Sequence, residues 1–205
     1  SATVALLQLI DRLGRFDQEH VAAYHPDLHA ELLRSLHDWS AEQVPGVFQT
    51  ALDSPNNEAR LITLQAWAEH PDLPLPKRVV ALRQDTNPQI RAAAITALAA
   101  HRPENIERYL DSGLRDFDRD VRLAAITGLG TVGTEASVQQ LHRVMREEPE
   151  VFRAAAVSSL ATLGDSSALA LAAEDDAWRV RLQAAWALSH FATTESIQPA
   201  DTLLR

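Results

Sequence analysis

Apolar residues fall at Val138, Leu141, Val144 and Met145, the spacing of one face of a helix, within a segment running from Ser137 to Glu147. The pattern breaks at Glu148-Pro149, because proline disfavours helix in the residue before it and suits the first turn of the next. A second, alanine-rich stretch from Val151 to Leu163 predicts another helix, stopped by Gly164-Asp165. The same plan recurs on both sides. Helices predicted near Leu73–Gln84, Glu104–Gly113 and Ser167–Glu174 alternate with helices that carry Arg91, Arg122 and Arg181. No run of alternating β-branched residues is bounded by turn dipeptides, so an all-helical array is expected.

The second helix of each pair is one sequence rewritten. Aligned on Arg60, Arg91, Arg122, Arg153 and Arg181, at intervals of 31, 31, 31 and 28 residues, the segments read EARLITLQAW, QIRAAAITAL, DVRLAAITGL, VFRAAAVSSL and RVRLQAAWAL. A period of this length means stacked two-helix units rather than one globular core. A further step of 31 residues toward the N-terminus reaches His29 in DLHAELLRSL, where Leu32, Leu33 and Leu36 take the apolar places that Ala94, Ile95 and Leu98 take beside Arg91. Ala2–Leu13 supplies the helix before that unit. The expectation is a single solenoid over 1–205 of about six helix pairs, in three stretches. Residues 1–52 hold degenerate units, 53–192 five clear repeats, and 193–205 the start of a further helix that the chain cuts short.

An acidic residue stands six positions before four of the arginines, as Asp85, Asp116, Glu147 and Asp175; the first unit departs, with Ser54 there and Asp53 one earlier. Acids near a helix N-terminus meet its free N–H groups and the positive end of its dipole. An arginine one turn into the helix can bond the acid of its own or the adjacent unit. Five equal copies point to a structural ladder rather than to catalysis.

This pattern of a turn acid, Val-Arg, two alanines and a leucine resembles the HEAT repeats, specifically the short, phycobilisome-lyase-like kind, over roughly residues 27–192. The resemblance implies an all-α, right-handed α-α superhelix whose arginine-bearing helices line a concave groove. It also implies which positions face that groove. These are Asn57, Glu58, Leu61, Ile62 and Gln65 in the first clear unit, and Pro88, Gln89, Ala92, Ala93 and Thr96 in the second. Arg119, Asp120, Leu123, Ala124 and Thr127 follow, then Glu150, Val151, Ala154, Ala155 and Ser158. The last unit contributes Trp178, Arg179, Leu182, Gln183 and Trp186. The middle of the groove is small and smooth, and its C-terminal end is aromatic.

Charge and chemistry narrow the function. A formal net charge of −9 argues against a nucleic-acid clamp, including the DNA glycosylases of similar fold, because duplex binding needs a basic face. There is no cysteine, hence no thiol chemistry or cysteine metal site. No apolar run is long enough to span a bilayer and no secretory signal is visible, so a cytoplasmic protein is expected, with a periplasmic or extracytoplasmic domain as the alternative. His25 and His29 lie four apart, with His20 and His37 nearby, but Pro26 puts His25 at or before a helix start and no metal site is expected. The paired His-Glu dipeptides of iron hydroxylases built on this repeat are missing. Gly128-Leu-Gly130 and Gly133 follow a helix rather than a strand, and read as a helix end and turn instead of a phosphate loop.

Trp178, Leu182, Trp186 and His190 recur every four residues, one stripe along a helix. Two tryptophans beside Arg179 have the composition of a binding hot spot. Such a stripe either meets a partner or packs on a following helix or repeat. The reading is a protein-binding scaffold or adaptor that takes another protein or peptide in its groove, with no catalysis and no cofactor of its own. Two alternatives stand beside it: an accessory subunit of a bilin lyase or chromophore-handling protein, which the resemblance suggests, and a regulatory or spacer domain of a larger enzyme.

Overall fold

The computed structural model describes residues 51–195 apart from residue 56, with side chains through residue 189. The degenerate N-terminal units, the four histidines at 20, 25, 29 and 37, and the segment from Asp201 to Arg205 lie outside the described residues. The described chain is helical between its turns, and no strand occurs among these residues. The helices are α1 (Asn57–Ala68), α2 (Lys77–Leu82), α3 (Pro88–His101), α4 (Ile106–Leu114), α5 (Arg119–Val132), α6 (Glu135–Glu147), α7 (Glu150–Thr162), α8 (Ser166–Ala172) and α9 (Trp178–Glu195). The odd-numbered helices carry the recurring arginines.

Local chemistry sets the boundaries. Asn87 caps α3 by accepting from the Gln89 amide at 2.9 Å, and Pro88 occupies the first turn, where its missing N–H costs nothing. Thr134 caps α6 by accepting from the Ser137 amide at 3.2 Å. Asp165 caps α8 through the Ala168 amide at 3.0 Å. Gly133 (φ 64°) and Gly164 (φ 79°) take the left-handed conformation that ends a helix without a Cβ penalty. The helix expected over Leu73–Gln84 is shorter, Lys77–Leu82, because Pro74 and Pro76 hold the approach extended. Gly128 and Gly130, expected to mark a helix end, lie inside α5.

Two compact units meet at Ala125 and Ile126, within α5. In the first, α3 packs against α1, α2 and α4. Its core includes Leu64, Trp67, Val79, Ile90, Ile95, Leu98 and Leu110, all buried. In the second, α7 packs against α6, α8 and α9, and α8 also packs against α9. Leu129, Leu141, Phe152, Val157, Leu160, Leu169 and Val180 fill that core. The residue three positions after the arginine is Thr63, Ala94, Ala125, Ala156 or Ala184, and every one is buried. A small side chain there keeps paired helices close. In the second unit Gly130 goes further: a Cβ built on it would lie 2.8 Å from the Cβ of Ser159 and 3.2 Å from its Cα. Ser159 uses the approach to donate its hydroxyl to the Ile126 carbonyl at 3.2 Å.

Candidate binding surface

The arginines do two things at once. Arg91 donates from Nε and Nη2 to the two oxygens of Asp116 at 2.9 and 2.8 Å, and from Nη1 to the Asp85 carbonyl at 2.9 Å. Arg153 grips Asp175 in the same forked way at 3.0 and 2.7 Å, and reaches the Glu148 carbonyl at 3.2 Å. Arg60 pairs with Asp85 at 3.2 Å and bonds the Ser54 carbonyl at 2.8 Å. Each of these arginines therefore closes its own turn with a carbonyl and ties it to the aspartate of the next repeat. The aspartates are fixed in turn by a backbone amide two residues on: Asn87 for Asp85, Asp118 for Asp116, Ala177 for Asp175.

These rungs hold charge in partly buried positions. The bonds from Arg91 keep the Asp116 carboxyl below the usual carboxylate range, against a desolvation that opposes ionisation. For Asp175 burial is the largest influence and pushes upward, but Arg153 and the Ala177 amide together outweigh it and the carboxyl again lies low. Glu147, expected as the fourth acid, does not take part. It is exposed at the last position of α6 and forms no such rung among the described residues. The cause is local: two residues on stands Pro149, which has no N–H to hold a turn carboxylate.

The surface expected to bind is carried mainly by α9. Trp178, Leu182 and Trp186 are 58, 60 and 58% exposed, so more than half of each side chain meets solvent. The Arg179 guanidinium lies 5.3 Å from the centre of the Trp178 ring and donates to Glu150 at 2.7 Å. The Arg179 side chain is 56% exposed, so this is a surface pairing beside the tryptophan. Gln183 is half-buried beside them. His190 lies within α9, and its side chain is outside the described set.

In the first unit the expected surface positions divide. Gln65, Arg119 and Asp120 are exposed, and Glu58, Leu61 and Leu123 are half-buried. Ile62 is a correction: it was expected to face the groove and is buried. Its place, two residues after the arginine, borders the core. Alanine there leaves Ala93, Ala124 and Ala155 half-buried, whereas the longer isoleucine folds inward. Reasoning confined to the arginine-bearing helices missed a recess in this unit, lined by α2 and the turn after it, by Arg91 of α3, and by α4 and its following turn. The signal for it was Phe117, an aromatic residue between two aspartates in a turn.

The far side of α9 differs from its predecessors. Four residues after the arginine, Leu64, Ile95, Ile126 and Val157 are all buried, while Ala185 is exposed. Arg181 bonds the carbonyls of Asp175 and Asp176, both at 2.8 Å, and has no carboxylate partner among the described residues. Among those residues no group of three or more His, Asp or Glu could hold a metal ion, and no helix is long and apolar enough to cross a membrane.

Residues 75–161 match the family model for HEAT repeats. No curated protein matches the chain. Among solved structures, a designed armadillo repeat protein is similar at 15% identity and a TM-score of 0.51, covering 90% of this chain and 98% of that one. An engineered protein is similar at 16% identity and 0.52, covering 92% and 97%. A second designed armadillo repeat protein, in complex with the peptide (KR)4, is similar at 16% identity and 0.52, covering 91% and 99%. At these identities the likeness concerns the fold: an all-helical repeat solenoid. The phycobilisome-lyase-like subtype receives no support from any of the three.

Proposed function

We propose that the chain is a protein-binding scaffold whose principal contact is the α9 row of Trp178, Leu182 and Trp186, with Arg179 and Gln183 beside it. The observation that carries this reading is the exposure of three large apolar side chains in line on one helix, next to an exposed arginine that lies over one of the rings. Large aromatic residues and arginine dominate the energetics of protein interfaces. Glu58, Leu61, Gln65, Arg119, Asp120 and Leu123 are the equivalent contact positions of the first unit. They are polar or half-buried, and contribute selectivity rather than anchoring energy. The peptide-bound armadillo neighbour supports a peptide or protein as the occupant of such a face.

The test is capture of partners from the source lysate by the intact chain and by the Trp178→Ala/Trp186→Ala variant, with retained proteins identified by mass spectrometry. A protein held by the first and lost by the second establishes the row as the contact. Identical retention by both removes α9 as the site. Because both side chains are exposed, the double substitution is expected to leave the far-UV CD spectrum unchanged, which separates lost binding from lost folding.

A further inference from the structure

In the first unit a recess of 750 Å³ opens between α2, α4 and the turn after α4. Four arginines line it, Arg83, Arg91, Arg108 and Arg115, against two aspartates, Asp111 and Asp116, in a chain whose formal net charge is −9. The aspartates are already engaged: Asp116 by Arg91 at 2.8 Å and Asp111 by Arg115 at 2.7 Å. Arg83 and Arg108 have no carboxylate partner among the described residues. Arg83 lies over the Tyr109 ring, 4.7 Å from its centre, and its Nε is buried with no hydrogen-bond partner. A half-buried guanidinium stacked on an aromatic face, with its Nε shielded from water and no carboxylate among the described residues beside it, is arranged to receive an anion.

Phe117 adds an independent observation. It lines the same recess and is fully exposed. The repeat does not require an aromatic residue there, since the position after the turn acid is Thr86, Glu148 or Asp176 in the other units. The turn is closed by Asp116 and Arg91 whatever the side chain of Phe117 does. An exposed phenylalanine beside stacked arginine and tyrosine therefore serves no purpose within this unit.

We propose that this recess is a second binding site, for an acidic peptide segment of a partner protein. Carboxylates of that segment pair with Arg83 and Arg108, and an apolar side chain packs against Phe117 and the recess wall. The excess of guanidinium over carboxylate sets the sign of the ligand. The volume is of the order that takes several side chains, far more than a single small anion fills. The site shares no residue with the α9 row, so the two can fail separately.

The test is fluorescence anisotropy of the full chain with a fluorescein-labelled (Asp-Glu-Phe)3 peptide and a labelled (Lys-Arg-Phe)3 control, at low and at physiological salt. Saturable binding of the acidic peptide alone is expected, weakened about tenfold by Arg108→Glu and by a similar factor by Phe117→Ala. Both side chains are exposed, so the urea unfolding midpoint is expected to stay at the wild-type value. Trp178→Ala/Trp186→Ala is expected to leave this binding intact, while Arg108→Glu leaves capture by the α9 row intact. The proposal is overturned if the acidic peptide does not bind, if the basic control binds as well, or if neither substitution weakens binding. It is also overturned if inorganic phosphate displaces the peptide and Phe117→Ala has no effect, since the recess would then be a simple anion site.

Discussion

The rung between Arg153 and Asp175 gives the sharpest quantitative test of how the repeats are held. Arg153→Ala removes two bonds to Asp175, one to Asp176 and one to the Glu148 carbonyl. The contact with Asp176 counts for little, since that carboxylate is 90% exposed. The contact with Asp175 is different: the two side chains are 17 and 13% exposed, and the truncation leaves the carboxylate with the Ala177 amide as its remaining donor. Breaking a fully buried pair by removing one partner costs about 3–5 kcal/mol. For a pair that keeps some solvent contact we expect about 2–3 kcal/mol. The pair of Arg115 and Asp111 is the internal control, because Arg115 is 70% exposed, and Arg115→Ala should cost about 0.2–1 kcal/mol. Urea denaturation followed by far-UV CD at neutral pH measures both. The linkage to pH has a definite sign. Asp175 has its folded carboxyl lowered, so its contribution is fully present above the unfolded value of about 4 and is lost as pH falls through the lower folded value. The gap between wild type and Arg153→Ala should therefore be constant from neutral pH to about 4.5 and close below that. Equal costs below about 0.5 kcal/mol for both arginines, or a gap unaffected by acid, would refute the ladder as a source of stability.

Other perturbations follow from the same geometry. Gly130→Ala adds helix propensity of about 1 kcal/mol, but forces a Cβ into the backbone and side chain of Ser159; we expect a net loss of about 1–2 kcal/mol in urea denaturation, and a gain would show that α5 and α7 separate freely. Asp165→Ala removes the cap of α8 together with bonds to Ser167 at 2.6 Å and His142 at 2.7 Å, a loss of about 2 kcal/mol that Asp165→Asn should partly restore. The emission lost on replacing Trp178 and Trp186 by phenylalanine should be red-shifted and quenched by iodide, whereas the residual blue signal should include buried Trp67; blue, unquenched emission from the replaced pair would show the row covered in solution.

The arginine register was legible in sequence because the same packing problem is solved repeatedly, and each copy corrects the noise in the others. The alternation of helices followed from it, but the lengths did not: proline spacing before α2 shortens a helix that apolar periodicity extends. The ladder was legible in composition and only partly in connectivity. Asp and Glu look equivalent in a string, yet the rung depends on a carboxylate short enough to hold an amide two residues on, and Pro149 removes that amide beside Glu147. Ile62 was misplaced because a border position takes the burial of its side chain, not of its register. The exposure of Trp178, Leu182 and Trp186 was undecided in the sequence, since an apolar stripe reads alike whether a neighbour covers it or not. The arginine recess could not be seen at all, because Arg83, Arg108 and Phe117 belong to segments whose proximity only folding creates.

The exposed Ala185 bears on self-assembly. Head-to-tail contact between identical copies closes into a ring or runs on as an open filament, depending on the rotation between them. The earlier arginine-bearing helices place leucine, isoleucine or valine four residues after the arginine, where that side chain is buried in the array. On α9 the place belongs to alanine, flanked by exposed Arg181 and Ser189. That face offers little apolar area and a charged group to desolvate, so it favours contact with a second copy less than the adjacent tryptophan row does. One helix thus presents a row of exposed tryptophan and leucine and, one residue round, a face of arginine, alanine and serine.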